Sequence, residues 1–168
     1  MDKKIHLTDR NGNSVPAVIK RIAAKDMPYK KQGWKFDWRD LSKNSSSEFF
    51  ALITDQGIEG LIELEAQDQG NGHIMMVMHH VEIADRNKGK KGLFKDCAGA
   101  LFAFGCLYSA LELEKSNNYF GFLVFSSKAQ PKLINNYLAY GATQFNNTTN
   151  MWFDPDVGDE LIKTYLSG

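Results

Sequence analysis

The sequence predicts one domain of the α/β (α+β) class, a mixed, mostly antiparallel sheet flanked by helices. Three observations predict it. Strand-sized apolar runs come first and are paired around turn signals. The later part then reads strand, helix, strand, helix, hairpin, the order of a sheet with helices on its faces. Finally, 168 residues with 43% hydrophobic and 12% aromatic content are enough for one substantial core, so residues 1–168 are expected to form a single domain.

Ile5 to Asp9 and Val15 to Ile22 are β-prone runs on either side of Asn11-Gly12 and read as a hairpin. Ala23 to Ser47 is irregular. It contains Met27-Pro28-Tyr29, the basic pair Lys30-Lys31, the aromatic run Gly33-Trp34-Lys35-Phe36-Asp37-Trp38-Arg39 and a polar loop from Asn44 to Ser47. Phe49–Thr54 and Ile58–Leu64 make a second hairpin around Asp55-Gln56-Gly57. After the polar loop Gln67 to Gly72, the run Ile74 to Ile83 opens with five apolar residues, as a strand covered on both faces and central in its sheet would.

Asp85 to Lys95 is a Gly- and Lys-rich loop. Asp96 to Glu114 is a helix, with Leu101, Phe104, Tyr108 and Leu111 at spacings of three and four and Asp96 as its expected N-cap. Tyr119 to Phe125 is a second buried strand. A helix begins at Pro131, aligns Leu133, Ile134, Tyr137 and Leu138, and closes at Gly141. Ala142–Phe145 and Asn150–Phe153 form a last hairpin, and Val157 to Leu166 a short helix with Leu161, Ile162 and Tyr165 inward.

Composition narrows the function classes. Lysine plus arginine and aspartate plus glutamate both number 20, so no net field attracts anionic polymers or membranes, and nucleic acid is not expected as a partner. The basic stretch Lys88 to Lys95 also lacks the interleaved aromatics of a nucleic-acid surface. No signal-peptide pattern follows Met1, and no apolar run approaches the roughly 20 residues of a membrane span. The chain is therefore expected to be cytoplasmic, with no membrane partner. Cys97 and Cys106 stand nine apart in one helix, which is neither metal-ligand nor disulfide spacing. They read as core thiols, with a reactive Cys97 at an exposed helix start as the minor alternative. No metal set is expected.

Three segments resemble the GNAT N-acetyltransferase family. Ile74 through the loop to Glu114 looks like that family's central strand, pyrophosphate loop and following helix. In that helix Gly99-Ala100-Leu101-Phe102-Ala103-Phe104-Gly105 is similar to a G-x-L-L-A-F-A run of one subgroup. Tyr119 to Phe125 is similar to the strand that splays from the central one and opens a slot for the pantetheine arm of CoA. Tyr137-Leu138-Ala139-Tyr140-Gly141-Ala142 resembles the ending L-Y-x-x-x-G-F, with Ala142 in place of Phe. The loop Arg86-Asn87-Lys88-Gly89-Lys90-Lys91 departs from the family pattern at its last position, where Lys91 stands for Gly or Ala; counted back from Gly99, Ala98 takes that place and Asp96 that of the earlier glycine.

The resemblance implies acetyl-CoA as co-substrate, no metal, and direct acetyl transfer to a primary amine on a small molecule or peptide. Arg86, Lys88, Gly89, Lys91, Gly92 and Lys95 would meet the CoA phosphates together with the helix start at Ala98 and Gly99. Val81 and Ile83 would present backbone to the pantetheine arm and the thioester oxygen, where the central strand bends away. An amine of pKa about 10.4 needs deprotonation, worth roughly 4 kcal/mol at neutral pH. Glu82 and His80, two apart and so on one face of the strand, are the candidate bases, with Glu82 slightly preferred. Simple solvation of Glu82 and packing of His80 are the bland alternatives. Tyr137 is the candidate proton donor to the leaving thiolate, with Tyr140 in reserve, and a core tyrosine is the other reading of Tyr137. Tyr29, Trp34, Phe36 and Trp38 either line an acceptor pocket or cover one end of the sheet. The alternative to an enzyme is an inactive CoA-binding or interaction module of the same fold, and a homodimer is the default if the chain associates.

Overall fold

Strands β1 (Lys3–Asp9) and β2 (Ser14–Arg21) pair antiparallel in the first hairpin. Its turn forms because the Asp9 carboxylate accepts from the backbone N–H of Asn11 and Asn13, both at 2.8 Å. The computed structural model describes residues 1–43 and 46–167; Asn44 and Ser45, expected in a polar loop, fall outside the described residues. The irregular segment carries 3-10 turns at Ala24–Asp26 and Lys30–Gln32 and the single-turn helix α1 (Trp38–Leu41).

β3 (Glu48–Thr54) and β4 (Gly57–Asp68) form the second hairpin, and β5 (Ile74–Ile83) follows as expected. β6 (Phe94–Lys95) is a short edge strand on β1. Helix α2 (Cys97–Lys115) crosses over to β7 (Tyr119–Ser126). Helix α3 (Pro131–Ala139), β8 (Thr143–Gln144), β9 (Asn150–Phe153) and helix α4 (Pro155–Tyr165) complete the chain. The strand order is β6-β1-β2-β3-β4-β5-β7-β9-β8, antiparallel throughout except for the parallel pair β5 and β7. This is the predicted mixed, mostly antiparallel sheet.

Alternation along the strands divides the apolar residues between two faces. Phe50, Leu52, Ile62 and Leu64 join the main core under α2, whereas Phe49, Ala51 and Leu61 join Trp38 and Met27 in a second core. Among the described residues only α2 is long and apolar enough to cross a bilayer by length and composition. That departs from the expectation that no segment approaches such a length. The physical reason is burial on two sides: α2 lies between the sheet and α4, and so is apolar nearly all round. Its glycines permit this closeness. A Cβ on Gly99 would stand 2.7 Å from the Tyr165 ring of α4, and one on Gly105 would stand 2.8 Å from Leu123 of β7.

Asp96 occupies the N-cap position of α2 in a left-handed conformation (φ 65°), with no hydrogen bond from its side chain to the helix. Two other aspartates do cap in this way: Asp154 accepts from Val157 N–H at 2.9 Å at the start of α4, and Asp37 from Asp40 N–H at 3.2 Å at the start of α1.

Phe104 is fully buried on α2, with its ring 4.8 Å from that of Phe50. Phe104→Ala is expected to cost about 3–5 kcal/mol, read as a lower urea midpoint at unchanged slope.

Candidate active site

The site begins where β5 and β7 part. Their parallel pairing runs from Ile74 and Tyr119 to Val77 and Val124 and goes no further, although β5 continues to Ile83. At Leu123 β7 takes β9 as its other neighbour, so the edge of β5 beyond Val77 faces an open gap. A cleft of about 560 Å³ fills that gap.

A second irregularity lies on the opposite edge of β5. Glu63 of β4 pairs with His80 and Leu64 with Met78, so His79 is an extra residue, a β-bulge. Met76 and Met78 face the α2 core. With unbroken alternation His80 would follow them. The extra residue reverses the phase: Val81 and Ile83 pack toward the α2 core, while His80 and Glu82 turn to the other face, against Phe36 and Trp38.

Both imidazoles then meet glutamates of β4. His80 Nδ1 lies 2.6 Å from Glu63 Oε2, and His79 Nε2 lies 2.5 Å from Glu65 Oε2. Burial alone would raise the Glu63 carboxyl, but the hydrogen bond and charge of His80 hold it below its ordinary value. Glu65 is likewise lowered, by hydrogen bonds from Gln67 and His79. With an ionised Glu63 accepting from Nδ1–H, Nε2 is the ring nitrogen left to exchange a proton at the cleft that the ring lines.

Glu82 is differently engaged. Its Oε1 accepts from the backbone N–H of Lys35 (2.8 Å) and Phe36 (3.1 Å), and its Oε2 accepts from Trp38 Nε1 at 3.3 Å. Its carboxylate lies 7% exposed and clamps residues 35–38 over the end of the strand. Of the aromatic run, Trp38 covers the second core, Phe36 lines the cleft, and Tyr29 lies outside it beneath the Arg39 guanidinium at 3.7 Å.

The residues expected at the cofactor separate into two groups. Val81, Ile83, Lys88 and Ala98 line the cleft. Arg86 does not: it makes two bonds to Glu59, at 2.7 and 3.0 Å, and this fully buried carboxylate also accepts from Asn87 (2.7 Å) and Thr54 (2.7 Å). Donating to Glu59 raises the Arg86 guanidinium's hold on its proton still further. Lys95 sits in β6, paired with Thr8. Gly99 is needed for the approach of Tyr165, and Gly92 because a Cβ there would lie 2.5 Å from the Asn87 carbonyl oxygen. Gly89 (φ 73°) has open space around it, and Lys91 is exposed. Ala84 N–H, at the end of the expected bend, donates to Glu59 O at 2.9 Å.

Tyr137 lines the cleft from α3, its ring 4.7 Å from Phe125 and 5.5 Å from Phe102, and burial pushes its phenol up. Tyr140 packs between Phe102 and Tyr165. Cys97 and Cys106 are buried thiols, both pushed up to about 12, chiefly by burial, so Cys97 is the opposite of an activated thiol. No group of three or more His, Cys, Asp or Glu suited to a metal occurs among the described residues.

Glu63, Lys35 and Lys128 were missed by sequence reading. A signal for Glu63 existed: Glu63 and Glu65 stand two apart in a largely apolar strand, placing two carboxylates on one face. Lys128 is an exposed residue of the irregular segment after β7 and carried no sequence signal.

The chain matches no family model and no curated protein. Solved structures do share its fold. The AtaTR structure bound with AcCoA aligns at TM-score 0.66 with 12% identity, covering 87% of this chain and 98% of that one. The KacTA–DNA complex aligns at 0.65 with 13% identity, covering 88% and 99%. A GNAT-family acetyltransferase from Listeria monocytogenes 4b F2365 aligns at 0.55 with 10% identity, covering 83% and 95%. The fold is that of the GNAT acetyltransferases.

These structures correct one expectation. The neighbours include KacTA in complex with DNA and an AtaT–AtaR complex bound to DNA, so the exclusion of nucleic acid does not stand. Zero net charge describes this chain alone and does not limit what an assembly of this fold contacts.

Arg86→Ala is expected to lower stability by about 3 kcal/mol in urea unfolding, because it removes the charge partner of a fully buried carboxylate. Acid gives a second check. A lowered Glu63 contributes stability above its ordinary value of 4.5, and that stability is lost as pH falls through the lower folded-state value. Urea midpoints from about pH 7 to about pH 3 should fall less steeply for Glu63→Gln than for the parent.

Proposed function

We propose that residues 1–168 act as a single acetyl-CoA-dependent N-acetyltransferase domain, with His80 as general base and Tyr137 as proton donor to the leaving thiolate. The observation that carries the proposal is the His80–Glu63 pair at the gap between β5 and β7.

The residues present fit acetyl-CoA. On the α2 side the cleft wall is Val81, Ile83, Ala98 and Phe102, an apolar surface suited to a pantetheine arm. The first turn of α2 offers backbone N–H groups without intrahelical partners, and Lys88 stands at the same cleft. On this reading Lys88, Gly89, Lys91, Gly92 and Ala98 remain the phosphate-side candidates, while Arg86, Lys95 and Gly99 serve the fold. Bound acetyl-CoA supplies an activated thioester.

The protein residues supply the rest. His80 Nε2 takes a proton from the acceptor ammonium, offsetting the roughly 4 kcal/mol cost of a neutral amine at neutral pH. The amine nitrogen then bonds the acyl carbon and the carbon–sulfur bond breaks. The ionised Glu63 orients the ring through Nδ1 and stabilises the imidazolium that forms. Backbone N–H groups of β5 beyond Val77, without a β7 partner, face the developing oxyanion. Tyr137, kept in its protonated form by burial, gives its proton to the thiolate, and the second proton of the attacking nitrogen, shed as the amide forms, restores the phenol through solvent. Glu82, with three donors already on its carboxylate, is assigned to positioning residues 35–38.

A protein partner is a second component of the proposal. The AtaTR and KacTA structures align at higher TM-scores than the Listeria acetyltransferase, and AtaT is a toxin bound to its antitoxin. A toxin working with a dedicated antitoxin protein is the reading they favour.

Acetyl-CoA at about a hundred times its dissociation constant should stabilise the protein by about 2.7 kcal/mol. His80→Ala should retain that stabilisation while thiol release with amines falls by about 10²- to 10⁴-fold. Glu63→Gln should move the acid limb of the kcat/KM profile to lower pH, which a merely structural Glu63 would not do. Stabilisation without thiol release from any amine or partner-bound form would instead mark an inactive CoA-binding module.

A further inference from the structure

The face of the cleft opposite α2 carries charges that acyl transfer itself does not use. Lys35 belongs to the segment clamped by Glu82. Lys128 follows β7 and places its ammonium 6.0 Å from the centre of the Phe36 ring, which packs at 4.8 Å against His80. Both lysines are exposed and both line the same cleft as His80.

The carboxylates on that face already have partners. Glu63 faces His80, Glu65 faces His79, and Glu82 holds the backbone of residues 35 and 36. Among the described residues no ion pair neutralises Lys35 or Lys128. The two ammonium groups instead share one cleft, and the charge of Lys35 is the leading cause that lowers the hold of Lys128 on its proton. Like charges placed together repel, and an anion between them reverses the sign of the interaction.

We propose that Lys35 and Lys128 form an anion subsite that binds a carboxylate or phosphate carried by the amine acceptor. The substrate class is therefore an amine with an acidic group a few bonds away, its anion on the lysine pair and its nitrogen at His80, separated by the Phe36 ring. The anions of CoA are a poorer fit, because the first turn of α2 and Ala98 lie on the other side of the strands. Only the identity of the occupant rests on the acyltransferase reading.

The test uses the full chain with acetyl-CoA and three amines: γ-aminobutyrate for the carboxylate, O-phosphoethanolamine for the phosphate, and n-butylamine with no acid. Thiol release should give at least one acidic amine a kcat/KM about tenfold above n-butylamine, the size of one hydrogen bond to a charged group. In Lys35→Gln/Lys128→Gln that ratio should fall to about one, through KM rather than kcat. The two acids distinguish a carboxylate from a phosphate site. Equal use of all three amines, a ratio unchanged in the double variant, or weakened acetyl-CoA binding by that variant would overturn the proposal. Where no amine turns over, calorimetric titration of the two acids into the CoA-saturated protein decides. Binding lost in the double variant supports the subsite and sinks only turnover, and no binding to the parent overturns the subsite.

Discussion

The structure of the site depends on one extra residue. The bulge at His79 reverses the side-chain alternation of β5 midway along its length. Before it, the strand sends Met76 and Met78 into the α2 core; after it, the same core receives Val81 and Ile83, and the polar residues turn the other way. Without the reversal His80 and Glu82 would enter a hydrocarbon layer, where an unpaired charge is costly. With it, one strand separates an apolar wall from a polar one across the thickness of a sheet. The parting of β5 from β7 then makes both walls accessible to the same cleft.

What could be read from the sequence was what local pattern controls. The strands, α2, the central place of β5 and the shared side of His80 and Glu82 all follow from periodicity over a few residues, and the structure has each of them. The face on which His80 and Glu82 lie did not follow. A bulge arises from pairing between strands, and nothing within Ile74 to Ile83 announces it. Partner choice was equally hidden. Glu82 is held by residues 44 to 47 positions earlier in the chain, and Arg86 by a glutamate 27 positions earlier. Arg86 looked like a phosphate ligand because it opens the Gly- and Lys-rich loop that resembles a pyrophosphate loop. Its actual role is set by Glu59, whose burial becomes visible only when β4 is placed against the loop.

The helix α2 shows a related limit. Its composition resembles that of a membrane span, yet the same composition serves a helix packed between a sheet and a second helix. Gly99, which the sequence motif associates with cofactor approach, proves to be a point of close contact under Tyr165, as Gly105 is under Leu123. Small residues report that something comes near, and only the fold says what.

The Glu82 clamp grips residues 35 and 36 by their main chain and not by their side chains. Any amino acid except proline can donate the same two N–H groups. The anchor of this wall is therefore indifferent to the identity of the residues it holds. Lys35 and Phe36 can be exchanged over generations without loosening the segment from the strand, so the chemical preference of the cleft can diversify while its architecture stays fixed.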